Sequence, residues 1–218
     1  MSIPSNKAYL LDIVEELNKY WPENRTINIV SHGHSVPAGY FATPVVDTLN
    51  AYPHLLHREL KKKYPYAVVN VIVTAIGGES SCKGLQRFER EVLCFRPDVI
   101  TIDYGLNDRR IGLEAARESW SGMIRKSLEL GIKVLLLTPT MDKRGFRDET
   151  AEGWVILKKH CEQIRLLADE FGVGLVDSFK AFEEYIDNIG SIEELMSFDN
   201  HPNRRGHELV AREIMKWF

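Results

Sequence analysis

Residues 26–39 read Thr-Ile-Asn-Ile-Val-Ser-His-Gly-His-Ser-Val-Pro-Ala-Gly, and this stretch predicts a buried β-strand that ends in a sharp loop. Its first half is apolar and rich in β-branched side chains, which is typical of a strand in a parallel sheet. Its second half brings Gly33 and then Ser35, so that a hydroxyl group lies at the edge of the sheet. Because a serine ahead of Pro37 is also common at the start of a helix, the stretch alone leaves open whether Ser35 is a nucleophile or a helix cap.

Four further apolar segments resemble this strand, and segments with helical spacing separate them. The alternation predicts an α/β fold, a three-layer α/β/α sandwich around a five-stranded parallel sheet. With the flavodoxin-like strand order 2-1-3-4-5, the chain reverses direction between strands one and three, and a cleft is expected at their carboxyl ends. The predicted strands are 27–31, 68–73, 99–103, 132–138 and 173–176, and the predicted helices are 6–20, 53–63, 113–130, 155–171, 178–187, 191–196 and 208–218.

The length and composition indicate one globular domain that spans residues 1–218. The chain has 218 residues, 44% of them hydrophobic and 27% charged, and no linker-like stretch divides it. Its formal net charge of −3 argues against a nucleic-acid partner, because nucleic-acid binders usually carry a basic face. The oligomeric state does not follow from the sequence.

Cysteine usage and the N-terminal residues bear on the expected compartment. The three cysteines are an odd number without paired or metal-type spacing, which favours a reducing compartment. The first residues lack the pattern of a signal peptide, and no apolar run reaches the roughly 18 residues of a membrane span. We therefore expect a cytoplasmic protein without a membrane partner, although a chain trimmed of its signal peptide would look the same.

Two loops after predicted strands carry groups that can bind a developing negative charge. Gly77 and Gly78 follow the second strand, and paired glycines let the backbone approach a phosphate or an oxyanion closely. Asn107 follows the third strand, where its amide can donate a hydrogen bond into the cleft. A tight turn and an Asx turn are the alternatives for the two loops.

The segment before the last predicted helix supplies a candidate base for Ser35. An activated serine needs a base within hydrogen-bond reach, and the base needs an orienting partner. His201 is the candidate base, and Asp199 lies two residues upstream as a possible orienting carboxylate.

Four short motifs together resemble the signature blocks of the SGNH (GDSL-like) hydrolases, in the expected order. They are Gly33-His34-Ser35, Ile76-Gly77-Gly78-Glu79-Ser80, Gly105-Leu106-Asn107-Asp108 and Asp199-Asn200-His201-Pro202-Asn203. The resemblance implies a serine esterase with Ser35 as nucleophile and His201 as base. It also implies an oxyanion hole formed by Ser35, Gly78 and Asn107, a small-molecule ester substrate, and no cofactor or metal.

Two positions depart from the family pattern. The family usually has an aspartate immediately before the serine, and this chain has His34. The family's acid usually precedes the histidine by three residues, and that position is Phe198. Asp199 is therefore the expected orienting residue, and the alternative is a backbone carbonyl that leaves a Ser35–His201 dyad.

Three other interpretations stay open. His32 and His34 form a His-x-His pair, as in some metal-dependent hydrolases, but alternation along a strand predicts that at most one of them points into the cleft. The site is also compatible with a degenerate, non-catalytic carbohydrate-binding domain. Within the family, the motifs do not separate lipases and thioesterases from carbohydrate acetylesterases. The long polar loop 139–153 favours a small acyl group, such as acetyl, on a polar or sugar alcohol.

Overall fold

The parallel sheet has five strands in the order β2-β1-β3-β4-β5, as predicted. This computed structural model describes residue 4, residues 6–148 and residues 150–218. All four strand pairs are parallel. The strands are β1 (Thr26–Gly33), β2 (Val68–Val73), β3 (Val99–Asp103), β4 (Lys133–Leu137) and β5 (Gly174–Val176).

Helices cover both faces of the sheet and complete the predicted α/β/α sandwich. Alternate strand residues enter opposite core layers, so Ile29 packs in one and Val30 in the other. The first layer packs against α2, α4, α10 and α11, and the second against α5, α7 and the second half of α9. The helices are α1 (Asn6–Tyr9), α2 (Leu11–Leu17), α3 (Ser35–Ala38), α4 (Tyr52–Lys63), α5 (Ser81–Glu91), α6 (Gly105–Asp108), α7 (Leu113–Glu129), α8 (Lys143–Arg147), α9 (Glu152–Phe171), α10 (Ser178–Asn188) and α11 (Arg204–Met215).

The register of the three strands nearest the cleft brings their carboxyl ends level. Ser31 of β1 is opposite Val73 of β2, and Gly33 of β1 is opposite Asp103 of β3. The loops that follow β1, β2 and β3 therefore leave the sheet side by side, at the edge where open α/β sheets bind ligands.

The structure corrects three predicted helices. The segment 6–20 forms two short helices, α1 and α2, rather than one. Helix α11 begins at Arg204 instead of residue 208, because the Asn203 side chain caps it by accepting a hydrogen bond from the Gly206 N–H. The segment 191–196 contains only a 3-10 turn, Ile192–Glu194. None of the helices in the described part of the chain is long and apolar enough to cross a membrane.

Candidate active site

Ser35 begins helix α3, two residues after the end of β1. The close approach of β1 to β3 requires glycine at position 33, since a Cβ there would lie 2.4 Å from the Asp103 carbonyl oxygen. His34 then caps α3, because its Nδ1 accepts a hydrogen bond from the Val36 N–H at 3.2 Å. This turn leaves Ser35 at the cleft, 7% exposed.

His201 reaches Ser35 from the loop that precedes α11. Its Nε2 atom lies 2.9 Å from the Ser35 Oγ atom, within hydrogen-bond distance. The backbone around His201 is tightly folded, because the N–H groups of Ser197 and Phe198 both donate to the His201 carbonyl oxygen. The structure thus brings together the two residues that the sequence pairs as nucleophile and base.

The surroundings of His201 favour its neutral form, which is the form that accepts a proton. Burial lowers the pKa of His201 below the usual value near 6.5, and the charge that His34 can carry lowers it further. The Phe41 backbone faces the ring and opposes part of this effect. The Nδ1 atom of His201 is buried and, among the described residues, forms no hydrogen bond of ordinary geometry.

The structure does not bring Asp199 to His201, so the expected orienting contact is not formed. The Oδ2 atom of Asp199 instead accepts a hydrogen bond from Nε of Arg144 at 2.5 Å. The Asp199 carbonyl oxygen accepts another from the Lys143 N–H at 2.7 Å. Both partners lie at the start of α8, so Asp199 joins the histidine loop to that helix.

The two predicted oxyanion loops are hydrogen-bonded to each other. Gly78 has a φ angle of +76°, and a Cβ placed there would meet no described atom within 4 Å. The loop that carries it is tied to β1, because the Ile76 N–H donates to the Gly33 carbonyl oxygen at 3.0 Å. Asn107 is buried and donates from Nδ2 to the Glu79 carbonyl oxygen at 3.0 Å. This bond fixes the Asn107 amide beside Gly78.

The last residue of the Gly-Leu-Asn-Asp motif has a structural role. Asp108 is fully buried, and its carboxylate accepts hydrogen bonds from the Ser81 N–H and from Nε1 of Trp120. Burial raises the pKa of Asp108, while these two donors oppose the rise. Asp108 thereby ties the Asn107 turn to the start of α5 and to α7.

His34 and Asp103 form a buried pair on the side of Ser35 away from solvent. The His34 Nε2 atom lies 3.3 Å from Oδ1 of Asp103, and the Tyr52 hydroxyl donates to Oδ2 of Asp103 at 3.3 Å. The Nδ1 atom of His34 is 3.4 Å from the Ser35 Oγ atom. The serine hydroxyl therefore lies between two imidazole rings, those of His34 and His201.

His32 does not share a site with His34. Its Nδ1 atom is 2.9 Å from the Thr74 hydroxyl, and its Nε2 atom is 3.1 Å from the Tyr104 hydroxyl. Burial lowers the pKa of His32 to about 3. In the part of the chain that the structure describes, no cluster of three or more His, Cys, Asp or Glu side chains has an arrangement suited to a metal ion.

The segment after α3 forms a wall beside His201. The Tyr40 ring centroid lies 6.2 Å from that of His201, and the same ring packs so closely on Gly77 that a Cβ there would be 2.9 Å away. The Phe41 ring stacks on the buried His207 ring at 5.0 Å. These aromatic residues lie on the His201 side of the cleft and cover the edge of the core.

Three residues that support the site have no signal in the sequence strong enough to predict their roles. Asp103 ends β3 behind Ser35, while Glu79 and Arg87 form a buried ion pair beneath the Gly78 loop. Asp103 and Glu79 each stand at a predicted strand end or turn, where a charged residue is a weak signal, but this signal does not identify a partner such as Arg87, which lies within α5.

A parallel α/β sheet that presents a serine to a histidine beside an asparagine and a glycine loop defines a carboxylic ester hydrolase of the serine type. The chain belongs to the GDSL-like Lipase/Acylhydrolase family, whose model matches residues 32–209.

Relatives of this chain include an acetylxylan esterase and an esterase active on acetylated mannans. An acetylxylan esterase of Geobacillus stearothermophilus is 21% identical over 170 residues, which are 72% of this chain and 75% of the relative. The solved structure of an acetylxylan esterase from that organism aligns with a TM-score of 0.75 and 19% identity, over 88% of this chain and 93% of that chain. A two-domain esterase active on acetylated mannans aligns with a TM-score of 0.74 and 22% identity, over 97% of this chain and 52% of that chain.

Variants of the Geobacillus enzyme are described as catalytic mutants. They replace a serine, an aspartate or a histidine by alanine, and the aspartate precedes the histidine by three positions. The corresponding spacing in this chain falls on Phe198.

Proposed function

We propose that this protein is a serine esterase that removes a small acyl group, acetyl above all, from a carbohydrate through an acyl-enzyme. The observation that carries the proposal is the 2.9 Å contact between the Ser35 Oγ atom and Nε2 of His201. A neutral imidazole at hydrogen-bond distance is what a serine needs in order to attack an ester.

In the first half of the reaction, Nε2 of His201 takes the hydroxyl proton while Oγ of Ser35 bonds to the ester carbonyl carbon. The carbonyl electron pair moves onto its oxygen, which is stabilised by the N–H groups of Ser35 and Gly78 and by the Asn107 amide. The C–O bond to the alcohol then breaks, and His201 gives its proton to the departing oxygen.

In the second half, water replaces the alcohol. His201 takes a proton from water as the water oxygen attacks the acyl carbon, and the carboxylic acid leaves when Ser35 regains its proton. Because Asp199 pairs with Arg144, we propose that the Ser35–His201 dyad works without an orienting carboxylate on Nδ1 of His201.

The substrate class rests on the comparisons and on the wall beside the site. The relatives act on acetylated xylan and acetylated mannan. Tyr40 stands next to His201 and presents an aromatic ring, a surface on which sugar rings stack. The three free cysteines favour a reducing compartment, so we propose a cytoplasmic enzyme.

A substrate panel tests this proposal. The purified protein is assayed with p-nitrophenyl esters from acetyl to palmitoyl, and with acetylated xylo- and manno-oligosaccharides. We expect kcat/KM to be highest for acetyl, and we expect acetate release from the sugars. A preference for long acyl chains would instead identify a lipase or thioesterase. A protein that hydrolyses no ester and does not react with a fluorophosphonate would be a non-catalytic domain.

A further inference from the structure

A buried ion pair lies beneath the loop that carries Gly78, and the proposed mechanism does not use it. Glu79 is 7% exposed and Arg87 is 8% exposed. The Arg87 Nε atom lies 2.9 and 3.0 Å from the two carboxylate oxygens of Glu79, and Nη2 lies 2.5 Å from Oε2. Charge-assisted contacts of this kind fix geometry as well as contributing energy.

The hydroxyl of Tyr104 completes the surroundings of this carboxylate. It donates to Oε2 of Glu79 at 2.8 Å and lies 3.2 Å from Nη2 of Arg87. Burial and the neighbouring Glu79 charge raise the pKa of Tyr104, so the hydroxyl keeps its proton and remains a donor. Position 84 makes room for the ring, since a Cβ on Gly84 would lie 2.5 Å from the Tyr104 hydroxyl oxygen.

The backbone of Glu79 faces the reaction centre while its side chain points into the core. Its carbonyl oxygen accepts the hydrogen bond from Nδ2 of Asn107, and its preceding residue is Gly78. One residue therefore connects both predicted oxyanion loops to a buried anchor. Arg87 also donates from Nη1 to Oε2 of the partly exposed Glu91 at 3.3 Å, so removing the Glu79 charge leaves the buried guanidinium with this longer contact in place of its short ones. We therefore expect the loop to shift when the anchor is broken.

We infer that Glu79 is a positioning residue, held by Arg87 and Tyr104, that keeps the Gly78 N–H and the Asn107 amide aimed at the oxyanion. The inference rests on the proposed function. Its physical basis is that oxyanion donors are effective only when they are oriented before the reaction. A glycine loop with a positive φ angle lacks that rigidity on its own.

A double-mutant cycle separates this role from a purely structural one. Steady-state kinetics with p-nitrophenyl acetate are measured for Glu79→Gln, Asn107→Ala and the double variant. We expect Asn107→Ala to lower kcat about 10²-fold, as loss of an oxyanion donor does. We expect Glu79→Gln to lower kcat at least about 10-fold with little change in KM. The loss in the double variant is expected to be clearly smaller than the product of the two single losses, because Glu79 acts partly through the Asn107 amide and partly through the Gly78 N–H.

Two further variants serve as controls for a general effect on folding. Asp177→Asn breaks a partly exposed ion pair away from the proposed oxyanion loops, in which Nε of Arg165 lies 2.8 Å from Oδ2 of Asp177, and it is expected to keep wild-type kcat. Tyr104→Phe keeps the Glu79–Arg87 pair while removing the contacts of the hydroxyl with Glu79, Arg87 and His32, and it is expected to lose kcat less than Glu79→Gln does. If Glu79→Gln does not fold, the cycle is run with Tyr104→Phe and Asn107→Ala.

The inference is wrong if the two losses multiply in the double variant, or if Glu79→Gln and Tyr104→Phe both keep wild-type kcat. Failure of the proposed function gives a different result, because the wild-type protein would then neither hydrolyse the ester nor react with a fluorophosphonate at Ser35.

Discussion

The Asp199 carboxylate pairs with Arg144 and makes no hydrogen bond with His201 in the described structure. Along the chain, Asp199 is two residues from His201 but 55 residues from Arg144. The histidine that contacts Ser35 thus has no carboxylate on its second ring nitrogen, and the acid of the usual triad is absent from this position.

We predict that Asp199→Asn keeps hydrolytic turnover within about three-fold of wild type. In serine proteases, disabling the orienting aspartate lowers turnover about 10⁴-fold, so the two outcomes are far apart. The measurement is kcat for p-nitrophenyl acetate. Arg144→Gln breaks the same ion pair from the other side, and we expect it to match Asp199→Asn. A loss of several thousand-fold in Asp199→Asn, without a matching loss in Arg144→Gln, would instead show that Asp199 orients His201 in a catalytic triad.

We predict that His34 influences the pH dependence of catalysis. Burial and then the His34 charge lower the pKa of His201. The base must be neutral to accept a proton. The apparent pKa of the acidic limb in the pH profile of kcat/KM is therefore expected to lie below the ordinary histidine value near 6.5. The groups that face His201 are His34, which follows β1 and caps α3, His207 from α11 and the Phe41 backbone.

The test of this prediction is His34→Asn, which keeps an acceptor for the Val36 N–H but removes the imidazole charge. The pKa of His201 should rise in this variant, so the acidic limb of kcat/KM measured between pH 4 and pH 9 should move to higher pH. An acidic limb that stays in place or moves to lower pH would contradict the prediction that the His34 charge lowers the pKa of His201.

We predict that the folded state loses stability as the pH falls from about 6.5 toward 3. Burial lowers the pKa of His207 to about 3, below its unfolded value near 6.5. The unfolded chain therefore binds the proton more readily over this range. The free energy of unfolding should fall by up to about 1.4 kcal/mol per pH unit for this histidine.

Urea unfolding at pH 7, 6 and 5 measures that slope. His207→Gln, which cannot titrate here, should reduce it by up to about 1.4 kcal/mol per pH unit, whatever its stability at pH 7. His32 has a similarly lowered pKa and should keep contributing to the remaining slope in the variant. An unchanged slope would show that His207 is not buried in its neutral form.

The sequence predicts the fold well where a local pattern carries the information. The apolar run that ends before Ser35 and the four later strands are visible as short apolar segments, and their alternation with helices predicts a parallel sheet. The strand order is that of the flavodoxin-like fold, which the alternation favours but does not determine. The pairing of Ser35 with His201, 166 residues apart, follows from the resemblance of four motifs rather than from any single one.

The remaining features depend on side chains that meet only in the folded chain. Nothing in the local sequence indicates that Asp199 pairs with Arg144, or that Glu79 is buried against Arg87 rather than solvated. The sequence predicts the start of α11 four residues too late, because the capping Asn203 resembles an ordinary loop residue when its bond to the Gly206 N–H is not known.

The central claim is that Ser35 is the nucleophile of an ester hydrolase, and covalent labelling tests it most directly. Intact-mass spectrometry after treatment with a fluorophosphonate should show one added phosphonyl group on the wild-type protein, located at Ser35 by peptide mapping. Ser35→Ala should show none, and its hydrolysis of p-nitrophenyl acetate should fall at least about 10³-fold. Hydrolysis near the wild-type rate in folded Ser35→Ala, or labelling at another residue, would contradict the claim.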